Sequence, residues 1–243
     1  MCYPFPVLTD APPAVSLLFI AIVAGMLILV LWGAALVALR VSLRAVTGVR
    51  VAGIALVGWL ALTGVLADRG FFDDFQSMPP RMLIAIGLPL VTLLAVAFSP
   101  RLEPLLAALP PAWPVAAQAF RIPVEIVLWR LAVAGAIPDL LSFTGRNWDI
   151  LVGLTAPVVA YACFVRRAWP ARVAVWWNWV GILILLSVVV HAQLSAPTPW
   201  RMFETDPPTT FIADWPYVWL PAFLVPLAWL LHAVSLRQLG SRR

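Results

Sequence analysis

Opposite charges four residues apart mark the segment Gln118–Leu131, which is otherwise rich in apolar side chains. Arg121 and Glu125 share one face of any helix that forms there. An unpaired charge at the centre of a bilayer costs roughly 2.5–3.5 kcal/mol, and pairing offsets part of that cost. Pro123 lies between the two and predicts a bend that frees a backbone carbonyl within reach of the guanidinium. The pattern therefore predicts either an ion pair that joins helices or a ligand or proton site in a polar cavity.

A second polar cluster spans Ser142–Asp149, with the sequence SFTGRNWD. Gly145 permits a tight turn, Asn147 can cap the following helix, and Asp149 can lie in its first turn near the positive end of the helix dipole. Capping does not explain Arg146, whose planar fork suits an anionic group. Two interpretations remain open: a helix cap, or the rim of an outward-opening pocket with the first pair of charges at its floor.

A third group of charges, Asp73, Asp74 and Arg81, lies between two apolar runs. Carboxylates in these clusters are candidate acids and bases, and the arginines are candidate ligands for an anionic head group. The candidate ligand-binding residues of all three clusters are Arg81, Arg121, Glu125, Arg146, Asn147, Asp149, Asp73 and Asp74. No residue can be assigned a catalytic role from the sequence.

The elements that must position these residues are apolar helices. The chain has 243 residues, of which 63% are hydrophobic and 11% are charged, a composition typical of a multi-pass membrane protein. The sequence predicts an all-α helical bundle that forms a single transmembrane domain over residues 1–243. We expect seven spans, at about 14–39, 51–67, 82–99, 114–134, 149–165, 173–194 and 213–236.

The arginines predict the orientation of these spans. Ten lie in one set of loops and tails: Arg40, Arg44, Arg50, Arg101, Arg166, Arg167, Arg172, Arg237, Arg242 and Arg243. Four lie in the other set: Arg69, Arg81, Arg146 and Arg201. This bias predicts an N-terminus outside and a C-terminus in the cytoplasm, in the inner (plasma) membrane. Most acidic residues, from Asp10 to Asp214, fall on the predicted outer side, which suggests that the function of that face uses polar groups.

Composition also excludes several classes of protein. All sixteen basic residues are arginine, so a lysine Schiff base of the rhodopsin type is excluded. The two histidines, His191 and His232, are predicted near opposite ends of their helices and cannot form a three-histidine zinc site. We expect no metal and no cofactor. The basic charge falls at helix ends, so nucleic acid is not an expected partner.

Three blocks of the sequence resemble a family of uncharacterised bacterial multi-pass membrane proteins with about seven helices. They are FDDF at 72–75 with PPR at 79–81, FRIPVE at 120–125, and FTGRNWDIL at 143–151 with GLTAP at 153–157. The resemblance covers about residues 55–165. It implies a fold and a set of candidate functional residues, but no reaction.

Three functions are compatible with these patterns. The favoured one is a protein that binds, senses or passes a small polar or anionic ligand through an outward-facing polar cavity. The alternatives are a membrane-embedded enzyme acting on a lipid or lipid-linked substrate, which we favour less, and a structural subunit of a membrane complex. The expected partners are the lipid bilayer, the ligand and other membrane proteins.

Overall fold

Helices make up the regular structure of residues 12–241, which are the residues described by the computed structural model; this part of the chain contains no strand. Asp10, Arg242 and Arg243, which entered the predicted topology, lie outside the described residues. The all-α prediction is confirmed for this part of the chain.

The helices follow one another with short connections. In chain order they are α1 (Pro13–Leu39), α2 (Leu43–Asp68), α3 (Met82–Phe98), α4 (Glu103–Ala108), α5 (Ala112–Ala117), α6 (Arg121–Val133), α7 (Asp149–Ala160), α8 (Ala171–Ser195) and α9 (Val225–Gly240). A 3₁₀ turn at Gln118–Phe120 joins α5 to α6, and π-helical turns extend α7 through Val165 and precede α9 from Leu220.

Four of these helical runs are long and apolar enough to cross a membrane: Pro13–Leu39, Leu43–Asp68, Ala171–Ser195 and Leu220–Gly240. Met82–Phe98 and Pro100–Ala108 together would make a fifth, but they are bent by 66° relative to each other. The run Asp149–Val165 is apolar but shorter. The helices therefore support a membrane protein with four or five such elements, and the predicted total of seven goes beyond this observation.

Two helices begin at residues other than the starts of the predicted spans, for identifiable reasons. The second helix begins at Leu43 rather than near 51, because the Ser42 hydroxyl accepts a hydrogen bond from the Ala45 N–H at 3.1 Å and caps it there. Arg44 and Arg50 consequently lie in α2 and not in a loop. The last helical run begins at Leu220 rather than near 213, because irregular backbone occupies the preceding residues.

The distribution of side chains is that of a protein surrounded by lipid. Large apolar residues such as Ile54, Val91 and Leu183 are exposed on the outer surface, whereas Arg121 and Glu125 are buried inside. Lipid tails accept apolar side chains as readily as a protein core does, so the interior of such a bundle is where polar groups collect.

Helix packing brings the polar side chains together. Helix α7 packs against α5, α6 and α8, and α9 packs against α3, α5 and α8. The 3₁₀ turn before α6 also contacts α7. This arrangement places the beginning of α7, the beginning of α6 and the middle of α9 around one interior point.

Candidate functional site

Arg121 is the centre of a buried hydrogen-bond network, with only 1% of its surface exposed. Its Nε donates to Oε1 of Gln118 at 3.1 Å, and one terminal nitrogen forms an ion pair with Oδ1 of Asp149. The other terminal nitrogen lies 3.2 Å from Nε2 of His232. A buried charge is costly unless it is paired and hydrogen-bonded, so this site depends on three helical elements packing together.

The turn before α7 is shaped by a glycine. A Cβ at Gly145 would lie 2.1 Å from the carbonyl oxygen of Asp139, so any larger residue would displace the backbone. The N–H of Arg146 donates to the Leu140 carbonyl at 3.2 Å, and the N–H of Asn147 donates to the Ser142 carbonyl at 3.2 Å. The tight turn predicted from SFTGRNWD is therefore present.

Asn147 connects this turn to the interior. Its Oδ1 accepts from the backbone N–H of Asp149, the first residue of α7, at 3.0 Å, but the N-cap residue itself is Trp148, one position after the predicted cap. Its Nδ2 donates to Oε1 of Glu125 at 2.7 Å and to the carbonyl of Leu141 at 3.0 Å. One amide thus fixes the start of α7 and binds a carboxylate on α6.

Glu125 is 2% exposed, and only one of its two carboxylate oxygens has a hydrogen-bond partner among the described residues. Its Oε1 accepts the bond from Asn147, but its Oε2 is buried without a hydrogen-bond partner among the described residues. A buried polar atom without a partner costs about 1–3 kcal/mol, and native proteins contain few of them. This oxygen has capacity for one more donor.

His232 extends the network toward α8. Asn178 donates its Nδ2 to the Ala174 carbonyl at 2.7 Å and to the Ser235 hydroxyl at 2.9 Å, so its Oδ1 faces Nδ1 of His232 at 2.8 Å. Nδ1 must then donate, and Nε2 accepts the bond from Arg121. The imidazole is held in one tautomer by a partner on each side.

Glycines permit the close approach of the helices around the network. A Cβ at Gly181 on α8 would lie 2.5 Å from Cε1 of His232. A Cβ at Gly153 on α7 would lie 2.9 Å from the side chain of Ile122 and 3.3 Å from Cβ of Arg121. Methyl groups at these positions would push apart the helices that bring the polar groups together.

The complete set, called the Arg121 network below, contains Gln118, Arg121, Glu125, Asn147, Asp149, Asn178, His232 and Ser235, all of them buried. It holds one guanidinium and two carboxyl groups, so it carries one negative charge in excess when both carboxyls are ionised. Across residues 12–241 no group of three or more His, Cys, Asp or Glu side chains is arranged to hold a metal ion. The carboxyl groups of this network can accept a proton or a hydrogen bond from a small donor.

The structure pairs Arg121 differently from the sequence prediction. The carboxylate in ionic contact with Arg121 is Asp149, 28 residues away along the chain, whereas Glu125 is held by Asn147. The predicted Arg121–Glu125 pair was wrong in this respect. Four residues along a helix place two side chains on one face, but a neighbouring helix can present a carboxylate in better geometry.

The charges before α3 lie apart from the Arg121 network. Arg81 and Asp74 form an exposed ion pair at 3.1 Å, and the Arg81 guanidinium lies 5.0 Å from the centroid of the Phe71 ring. Burial, with a smaller contribution from the charge of Asp73, raises the pKa of Asp214 from 3.8 to about 6. These residues form a separate loop surface.

Arg146 also separates from its sequence neighbours Asn147 and Asp149. It is exposed, and its guanidinium lies 5.9 Å from the centroid of the Phe203 ring. It lines an open groove of about 570 Å³ along α8 instead of the Arg121 network. The predicted candidates are thus divided among three places.

Sequence reasoning missed half of the network: Gln118, Asn178, His232 and Ser235. Asn178 lies between tryptophans, which are typical of a membrane interface, and His232 lies in the second half of its helix, so neither position indicates an interior group. An available signal was the spacing of His232 and Ser235, which places a second polar group one turn away on the same face of α9.

A family model matches residues 79–240 of the chain, about two thirds of its length. The chain belongs to the family described as a domain of unknown function, DUF8737. Membership agrees with the predicted resemblance to an uncharacterised family, although the matched region begins after FDDF and extends beyond residue 165. All members of the Arg121 network fall within it. No curated protein and no solved structure matched the chain.

Proposed function

We propose that this chain is a multi-pass membrane protein that binds a proton, or a small solute that donates hydrogen bonds, in the Arg121 network. Binding there would serve sensing or permeation across the membrane. The observation that carries the proposal is Oε2 of Glu125, a buried acceptor without a partner next to an ion pair. One added donor would satisfy this oxygen, and one added positive charge would make the network neutral.

Charge balance selects among the ligands predicted from the sequence. An anion would add to the existing excess of negative charge from Glu125 and Asp149, which is unfavourable in a medium of low polarity. A proton on Glu125 removes that excess without requiring any cavity volume. A polar ligand is therefore favoured over an anionic one at this site.

Topology forms the second part of the proposal. Seven helical runs correspond to the seven predicted spans if three further runs also cross the bilayer: the bent pair Met82–Phe98 and Pro100–Ala108, the run at 112–133 and the shorter Asp149–Val165. The arginine bias then favours an outer N-terminus, a cytoplasmic C-terminus and residence in the bacterial inner membrane. Reporter fusions at both ends test this topology, and reporters active on the same side would contradict it.

Infrared difference spectroscopy of the reconstituted full-length protein tests proton binding directly. We expect the parent to show the C=O stretching band of a protonated carboxyl group, and we expect Glu125→Gln to remove that band. Glu103→Gln is the matched control, because Glu103 is an exposed residue at the start of α4. A band that persists in Glu125→Gln, or that is absent from the parent, would contradict a proton on this residue.

The two alternative functions have less support. An enzyme needs its acid and base to reach a substrate, yet Glu125 and Asp149 are buried and Asp73 lies apart from them. A structural subunit would use the network only to join helices. It predicts that Glu125→Gln, which keeps the shape of the side chain, folds normally and leaves the band unchanged.

A further inference from the structure

The groove beside α8 combines a cationic end with an apolar wall. Five of the side chains that line the groove come from α8, three of them apolar, and Trp148 and Arg146 come from the turn before α7. The α8 residues are spaced along one face of the helix: Val180, Leu183, Ile184, Ser187 and His191. The groove has a volume of about 570 Å³ and is open at its side.

The length of this wall corresponds to one leaflet of a bilayer. Val180 and His191 are eleven residues apart, which is about 16 Å along a helix. Half of a typical hydrocarbon core is about 15 Å. His191 lies four residues from the end of the 25-residue helix α8, so this end of the groove reaches the depth of lipid head groups.

The charges at this end of the groove suit an anion. Arg146 is exposed, and no carboxylate within residues 12–241 lies within 4.0 Å of its guanidinium. Phe203 stands beside it and stacks on His191, with ring centroids 5.4 Å apart and planes inclined by 10°. Trp148 adds an aromatic side chain of the kind that lies at membrane interfaces.

We propose that this groove binds an anionic phospholipid, with the phosphate on Arg146 and an acyl chain along the apolar face of α8. A guanidinium donates two parallel hydrogen bonds to a phosphate, whereas Val180, Leu183 and Ile184 offer only apolar contact to the chain. This site is separate from the Arg121 network and does not depend on the function proposed for it.

Titration of the delipidated full-length protein with dioctanoyl phosphatidylglycerol, followed by native mass spectrometry, tests the proposal. We expect Arg146→Gln to weaken binding about tenfold, the loss of one charge-assisted hydrogen-bonded contact. Arg130→Gln is the matched control, because Arg130 is an exposed arginine at the same end of the bundle that does not line the groove. Equal binding by the parent and Arg146→Gln, or equal losses in both variants, would overturn the site.

A second pair of variants tests the apolar wall without changing charge. Ser187→Trp fills the groove and should reduce binding, whereas Val190→Trp adds the same bulk at an exposed position of α8 outside the groove. Melting temperatures confirm that all four variants fold. Two further ligands define the occupant: dioctanoyl phosphatidylcholine or inorganic phosphate binding as tightly as phosphatidylglycerol would overturn the assignment to an anionic lipid.

Discussion

Arg121 and Arg81 each contact a carboxylate, but in opposite surroundings. Arg121 pairs with Asp149 where its side chain is 2% exposed, and Arg81 pairs with Asp74 where its side chain is 42% exposed. The buried arginine has further partners on two other helical elements, whereas the exposed one contacts a neighbouring loop and the Phe71 ring. Two pairs of the same residue types therefore differ in their roles: the first joins helices, and the second lies on the surface of a loop.

The largest expected effect comes from breaking the buried pair. Arg121→Gln leaves the Asp149 carboxylate buried without its cation and should lower the free energy of unfolding by about 3–5 kcal/mol. Adding Asp149→Asn should recover part of this loss, as measured by steric trapping in detergent micelles. Arg121→Gln with Glu125→Gln is the comparison variant. Greater recovery with Glu125→Gln than with Asp149→Asn would restore the pairing predicted from the sequence.

A second variant separates the helices around the buried site without touching a charge. Gly181→Ala places a methyl group against the His232 ring and should cost about 1–3 kcal/mol, again measured by steric trapping. The control is Gly58→Ala on α2, where a Cβ meets no atom within 4 Å. We expect that substitution to leave stability unchanged or raise it slightly. Equal effects of the two alanines would show that α8 and α9 can separate at little cost.

The stability of the loop surface should depend on pH through Asp214. The pKa of Asp214 is raised to about 6 from 3.8, so its stabilising contribution is complete below about pH 4 and is lost as the pH rises through about 6. Because Asp214 is partly exposed, we expect a loss of only about 1 kcal/mol between these limits. Asp214→Asn should flatten the dependence of melting temperature on pH, and the exposed Asp206→Asn should retain it. An unchanged slope in Asp214→Asn would contradict this assignment.

The smallest expected effect belongs to the exposed arginine. Arg81→Gln should change the free energy of unfolding by less than about 1 kcal/mol, because water screens the charges and competes for the hydrogen bonds. High salt should abolish this difference while leaving the effect of Arg121→Gln almost unchanged. Melting curves of both variants at low and high salt decide the matter. A large effect at Arg81 would remove the distinction between the two pairs.

Most of the helices could be predicted from the sequence, because their apolar runs are long and interrupted by arginine or proline. The boundaries of α1, α3, α8 and the helical run Asp149–Val165 differ from prediction by no more than two residues. The start of α2 could not be placed by hydropathy, since Ser42 caps the helix among polar residues. Apolar composition also continues upstream of Leu220, where the backbone is not helical.

Four of the eight members of the Arg121 network were predictable from the sequence, but their connections were not. Arg121, Glu125, Asn147 and Asp149 were selected because charged and amide groups are costly near lipid, and all four lie in one network. Their pairing depends on how α6 and α7 pack, which local spacing does not determine. His232 was missed because a lone histidine in a helix gives no indication of a partner on another helix.

The contact between Gly181 and His232 constrains how the protein can move. With one hydrogen atom separating the backbone of α8 from an imidazole held on both sides, neither helix can rotate or slide without breaking the bonds to Asn178 and Arg121. A motion that keeps these contacts must therefore carry α8 and α9 together. Helices could slide past each other more easily where their contacts are apolar and involve no directional hydrogen bonds, as between α1 and α2.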